Sequence, residues 1–198
     1  MGVAPGFPLT GVKVLGCGGS GTTSGVIKGV DWVAAHGVLP AVANMSLGGG
    51  ASTALDDAVR SSVTSGVFYA LAAGNEGTKT CTSSPARAGA GTANGIMTTG
   101  ALDQTDNDPD WSNSGPCLDI WAPGVSILST WKGGKTATLS GTSMASPHVA
   151  GTAARYLARH GITIPATVEW DLKTTATKDT GTSTNDGAAI TRVNASNY

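Results

Sequence analysis

Charge is scarce in this sequence. Of its 198 residues only 13% are Asp, Glu, Lys or Arg, and only 5% are aromatic. Twelve basic residues stand against 13 acidic ones, a net charge of −1. That balance lacks the basic footprint of a nucleic-acid binder, so no nucleic-acid partner is expected. No apolar run approaches the ~18 residues that a spanning helix needs, so no membrane partner is expected either. Cysteines number three, at positions 17, 81 and 117, with no C-x-x-C pair, which argues against a zinc ribbon or a thioredoxin motif. The opening residues, Met1 to Gly6, carry neither a basic n-region nor an apolar h-region, so no secretory signal is expected within the chain. Gly6 stands where a myristoylation motif needs Ser or Thr. The 29 glycines follow no three-residue period, which excludes collagen.

Hydrophobic residues make up 40% of the chain, enough for one domain or a large piece of one. Val12–Leu15 reads as a short strand. A helix is expected from an N-cap at Ser24 to His36, with Val26, Ile27, Val30 and Val33 at helical spacing and Gly37 as its stop. Ala41–Met45 reads as a second strand. Ser52 caps a second helix, in which Leu55, Val59 and Val63 recur every four residues up to Gly66. Val67–Leu71 is a third strand. This alternation implies a parallel sheet with right-handed crossovers. Residues 74–95 read as loop, and Asp103–Gly115 as a polar turn region. Ile96–Gly100 and Leu118–Trp121 read as strands. Ile127–Trp131 and Thr136–Leu139 read as a strand pair. Helices are expected over about Ser143–His160 and Pro165–Thr175, ahead of a polar tail.

In such sheets a ligand binds at the carboxyl ends of the strands. Two strands end there in small residues: Asn44-Met45-Ser46-Leu47-Gly48-Gly49 and Ala72-Ala73-Gly74-Asn75. They are either plain glycine turns or surfaces where a substrate backbone comes close, with Asn75 offering an amide donor. The stretch Ser140-Gly141-Thr142-Ser143-Met144-Ala145-Ser146-Pro147-His148-Val149-Ala150-Gly151 leads from a strand into a helix. Ser143 falls at the helix start, where free N–H groups and the dipole favour a developing oxyanion, unless it is a plain N-cap. Ala145 breaks the G-x-S-x-G pattern of the α/β-hydrolases.

The run Gly141–Gly151 resembles the nucleophile motif of the subtilases, the subtilisin-like serine peptidases. Asn44–Gly49 resembles their substrate-pocket strand, and Ala72–Asn75 their oxyanion-hole segment. Val12–Leu15 and Leu118-Asp119-Ile120-Trp121-Ala122-Pro123-Gly124 extend the match, which is most marked toward aqualysin-like enzymes of the proteinase K branch. The resemblance implies an α/β, subtilisin-like, three-layer fold: a mostly parallel sheet with helices on both faces. It implies Ser143 as nucleophile, with its N–H and the Asn75 side chain as oxyanion hole. Gly19-Ser20-Gly21 and Ser46-Leu47-Gly48 would flank an extended polypeptide substrate. Ala72, Ala73 and Gly74 would wall the pocket for the residue before the scissile bond. Catalysis of this kind needs no cofactor.

A serine of this kind needs a base, and the base needs an orienting group. His36 and His160 sit at helix ends, where a cation is favoured. His148 follows Ser143 by five residues, about 140° round the helix, so the two side chains diverge. The resemblance places the triad Asp and His in segments ahead of residue 1. It makes residues 1–198 the nucleophile-bearing part of an N-terminally truncated peptidase domain, a monomer when complete, inactive alone, with the missing portion as its partner. It pairs Cys81 with Cys117, leaves Cys17 for a partner upstream, and points to an extracellular setting. It also suggests a structural calcium on Asp119 and backbone oxygens near Asn94 and Ile96. The competing reading is a catalytically dead peptide-binding module that keeps the cleft.

Overall fold

The computed structural model describes residues 2–178 and 181–198. Helix α1 (Thr23–His36) leads to β1 (Ala41–Met45), the short β2 (Gly49–Gly50), α2 (Thr53–Val63) and β3 (Val67–Ala72). The short β4 (Ser83–Ser84), β5 (Ile96–Leu102) and β6 (Ile120–Pro123) follow. A hairpin of β7 (Ile127–Trp131) and β8 (Lys135–Leu139) precedes α3 (Thr142–His160) and α4 (Pro165–Thr174). Strands β1, β3, β5 and β6 form one parallel sheet in the order β1-β3-β5-β6.

Every residue of β3 is buried, as expected for a central strand covered on both faces. Successive side chains alternate between faces. Val67, Tyr69 and Leu71 join Val26 and Val30 of α1 and Leu55 and Val59 of α2 in one core. Phe68 and Ala70 join Ala145, Val149 and Ala153 of α3 and Val168 and Leu172 of α4 in another. Three layers result, as the sequence implied. Tyr69 buries a polar tip, and its hydroxyl pairs with Ser62 Oγ at 2.7 Å. Burial pushes that phenol above its ordinary pKa.

Several boundaries differ from expectation. Thr22, not Ser24, caps α1: it is extended and its hydroxyl accepts from Gly25 N. Gly37 is extended rather than left-handed, so α1 ends without a glycine-type cap. Val12–Leu15 forms no strand, because none of the described strands lies beside it to share backbone hydrogen bonds. It is pinned by side chains instead: a Cβ on Gly29 would meet Val14 Cγ1 at 2.2 Å, so only glycine lets α1 come this near.

The segment 74–95 is more ordered than a surface loop. Its short β4 pairs antiparallel with β2, and Thr80, Ser84, Ala86 and Ala88 are buried. Cys81 and Cys117 form a disulfide, with their Cα atoms 5.2 Å apart, while Cys17 is free and exposed.

The polar tail is anchored by a buried carboxylate. Asp108 accepts from Ser183 Oγ (2.6 Å), Thr184 N (2.9 Å) and Thr184 Oγ1 (3.2 Å). Burial raises the Asp108 pKa, but these hydrogen bonds outweigh it and hold the carboxyl below its ordinary value. Arg192 pairs with Asp106 at 2.6 Å, and the backbone of Thr191 and Val193 bonds to Trp121.

Two outcomes are expected. A carboxyl with a lowered folded pKa stabilises above its unfolded value of ~3.9, and that stability is lost as pH falls through the folded value. The Thr184 amide NMR signal should therefore titrate with a midpoint below ~3.9, and Asp108→Ala should abolish the titration and speed proteolysis within residues 181–198. Opening the 36-residue Cys81–Cys117 separation should cost about 4 kcal/mol on the chain-entropy account, read by denaturant unfolding with and without reductant.

Candidate active site

The hairpin β7–β8 delivers the chain through Ser140-Gly141 to the start of α3. Gly141 N donates to Gly124 O at 2.8 Å, and Ser140 Oγ accepts from Ser126 N at 2.9 Å, which fixes the entry. Gly141 is the N-cap and Ser143 the second helical residue, so Ser143 is not itself a cap. Its N–H belongs to the first turn, where no intrahelical carbonyl is in reach.

Proline decides how Ser143 is held. Pro147 lies in α3 and has no N–H to give the carbonyl four residues back, which is that of Ser143. Ser46 fills the gap: its Oγ donates to Ser143 O at 2.8 Å, and Ser143 Oγ donates to Ser46 O at 3.3 Å. Asn44 Nδ2 donates to Ser46 Oγ (3.0 Å), and Asn44 Oδ1 accepts from the buried Ser146 Oγ (2.7 Å). The chain Ser146–Asn44–Ser46–Ser143 thus ties the end of β1 to the first turns of α3.

The end of β3 is tied to the same turn. Asn75 Oδ1 accepts from Thr142 N (2.8 Å) and Thr142 Oγ1 (3.0 Å). A backbone N–H can only donate, so the oxygen of this amide is identified and its NH₂ group is left to donate elsewhere. Thr142 Oγ1 also accepts from Gly74 N at 3.1 Å. Behind the turn lies Asn113, fully buried. Its Oδ1 accepts from Glu76 N and Thr78 N, and its Nδ2 donates to Ala73 O at 3.0 Å and Glu76 Oε2 at 2.8 Å. Gly74 has φ +106, and a Cβ there would meet Asn113 Nδ2 at 2.3 Å. No side chain fits between this turn and its support.

These elements border a cleft of about 480 Å³, lined among others by Leu47, Gly48, Ala72, Ala73, Gly74, Asn75 and Ser143. It is an open, largely backbone-lined groove. Gly19, Ser20 and Gly21 are not part of that lining and stand in an exposed turn ahead of α1. Thr142, Asn44, Asn113 and Pro147 were not singled out as site residues by sequence reading. Thr142 and Pro147 lie inside the Gly141–Gly151 run, but a hydroxyl or a missing N–H acquires meaning only once its partner is known.

The three histidines are engaged locally. His36 Nδ1 bonds Trp32 O (2.9 Å) and stacks on the Trp32 ring. His148 Nδ1 bonds Met144 O (2.8 Å). His160 stacks on Tyr156. None is among the described hydrogen-bond partners of Ser143.

Of the residues expected to hold calcium, Asp119 has both carboxylate oxygens engaged by protein donors. Asp119 Oδ2 accepts from Thr98 N at 2.7 Å, and Oδ1 accepts from Lys173 Nζ at 2.7 Å. Asn94 Oδ1 accepts from Ile96 N at 2.9 Å, which fixes the backbone around the two carbonyls expected as ligands. Among the described residues no three His, Cys, Asp or Glu side chains gather as a metal site. Asp119 thus already meets an ammonium, that of Lys173.

Fold and cleft define a parallel α/β domain with an open groove at its strand ends, and comparison with known proteins gives it a family. The model of the subtilase family matches residues 1–189, and the chain belongs to that family. It is 54% identical over 168 residues to alkaline serine exoprotease A of Vibrio alginolyticus, covering 85% of this chain and 30% of the relative. It is 52% identical over 169 residues to an extracellular serine proteinase of Thermus sp. strain Rt41A, covering 84% of this chain and 40% of the relative. The crystal structure of a cold-adapted subtilisin-like serine proteinase superposes with a TM-score of 0.90 at 47% identity, over 96% of this chain and 68% of the other. The chain thus spans less than half the length of these two sequence relatives. No helix among the described residues is long and apolar enough to cross a membrane.

Thr142→Val keeps the shape of a fully buried residue but leaves Gly74 N–H without its acceptor. We expect a loss of about 1–3 kcal/mol of stability by denaturant unfolding, with Thr142→Ser retaining most of it.

Proposed function

We propose that this chain is the nucleophile-bearing portion of a serine endopeptidase that cleaves polypeptides through an acyl-enzyme on Ser143. The observation that carries this reading is the Thr142–Asn75 bond. It holds the Asn75 amide beside Ser143 with its donor group free, at the N-terminus of a long helix. An oxyanion formed on Ser143 would meet the Asn75 NH₂ and the Ser143 N–H, both oriented before reaction. Ser46-Leu47-Gly48 would pair with one edge of an extended substrate and Gly19-Ser20-Gly21 with the other, through backbone groups that select little by side chain. Ala72, Ala73 and Gly74 would form a wall of the pocket for the residue before the scissile bond. An extracellular setting accords with the Cys81–Cys117 disulfide, and the complete enzyme is proposed to act as a monomer.

A base and its orienting carboxylate are proposed to come from an amino-terminal portion of the same domain. Without them Ser143 is a weak nucleophile. Its hydroxyl is bonded to Ser46 O, a contact that also suits the second reading, a binding module that keeps the cleft without turnover.

Fluorophosphonate labelling separates the readings, since it needs an activated serine. We expect little labelling of the isolated chain and strong labelling of Ser143 once the amino-terminal portion is joined to it. In that joined form Asn75→Ala should lower kcat by about 10²–10³, the loss a subtilisin shows without such a donor. Absence of labelling in a folded joined form would favour the binding module. Strong labelling of the isolated chain would overturn the proposed need for a supplied base.

A further inference from the structure

Two buried carboxylates outside the cleft converge on one nitrogen. Glu169 of α4 is fully buried, and Asp119, just before β6, has a side chain only 5% exposed. Lys173 Nζ lies 2.6 Å from Glu169 Oε1 and 2.7 Å from Asp119 Oδ1. Glu169 is held at its other contacts by three consecutive backbone donors: Ala93 N at 3.1 Å, Asn94 N at 2.6 Å and Gly95 N at 2.8 Å. Ala93 and Gly95 both take positive φ, 55° and 82°, so the turn is bent to present those N–H groups inward. Asp119 is held by Thr98 N and bonds back through its own N–H to Thr98 O. All four carboxylate oxygens are therefore committed, and two of them share a single cation.

A second feature separates this cluster from a surface ion pair. Glu169 and Lys173 are one helical turn apart, while Asp119 lies 54 residues from Lys173 in sequence. One ammonium therefore joins α4 to the residue before β6, and Glu169 carries the link on to the 93–95 turn. Burial lowers the Lys173 pKa, but Asp119 and Glu169 outweigh it and hold the ammonium above its ordinary value, while burial pushes the Asp119 carboxyl up to about 7 even beside that ammonium.

We propose that Lys173 is the built-in cation of this region, tying α4 and the 93–95 turn to Asp119 in place of a bound divalent ion. The region then holds together without calcium. Removing the ammonium would leave two carboxylates facing each other, a pair that a divalent cation can bridge.

The test compares melting temperatures of the 198-residue chain in chelator and in millimolar calcium, for wild type, Asp119→Asn, Lys173→Met and the double variant. Wild type and Asp119→Asn should respond equally to calcium, because no ion sits on Asp119. Lys173→Met in chelator should melt on the order of 10 °C lower, as breaking a buried charge network does. It should also gain a calcium response that the double variant lacks. Lys173→Arg should keep the wild-type indifference. The proposal is overturned if Asp119→Asn loses a calcium response that wild type has, or if Lys173→Met gains none. Should Lys173→Met not fold, Lys173→Gln takes its place. The comparison of wild type with Asp119→Asn decides whether calcium sits on Asp119 in either case.

Discussion

Strand β3 admits no exposed surface. Its six residues are buried on both faces, and its backbone pairs with β1 on one edge and β5 on the other. A strand so enclosed must carry apolar side chains to both sides and must have helices on both. The placement of α1 and α2 against Tyr69, and of α3 and α4 against Phe68, follows from that requirement. The site follows in turn. With β3 central, its carboxyl end opens next to the start of α3, and Asn75 meets Thr142 there.

The site is held chiefly by neutral hydrogen bonds rather than charge. Ser46, Asn44, Ser146, Thr142 and Asn113 each join segments far apart in the chain, and most are buried. In a buried place a satisfied neutral bond avoids the desolvation cost that a charge would carry. This suits a sequence poor in charge. It also accounts for the small residues around the cleft, since backbone groups line the groove and carry its donors.

Where charge is used, it is concentrated. The Glu169–Lys173–Asp119 cluster lies away from the cleft and joins α4 to the sheet. Asp56 and Arg87 form another such pair, which ties α2 to the turn after β4. In both, a single cation meets buried carboxylates, one at Arg87 and two at Lys173, because an unpaired carboxylate in that environment would be costly.

The continuous apolar run Val67–Leu71 and the four-residue spacing of Leu55, Val59 and Val63 were legible because they are local patterns. The run Gly141–Gly151 was legible because proline, glycine and serine there serve one local turn, and its family resemblance located Ser143. Val12–Leu15 reads as a strand by its apolar cluster, but no strand forms there, since a strand also needs a neighbour. The cap of α1 shifted from Ser24 to Thr22 because both residues can cap, and backbone conformation chose between them. The family resemblance suggests Asp119 as a calcium ligand, but it could not reveal the contact with Lys173, which stands 54 residues away. What the sequence by itself determined is the set of elements and the strand ends where a site can lie, since periodicity and turn chemistry act over a few residues. Only the tertiary structure decided which hydroxyl holds Ser143, which amide faces it and which cation meets Asp119. Each of those is a contact between segments whose approach is set by packing.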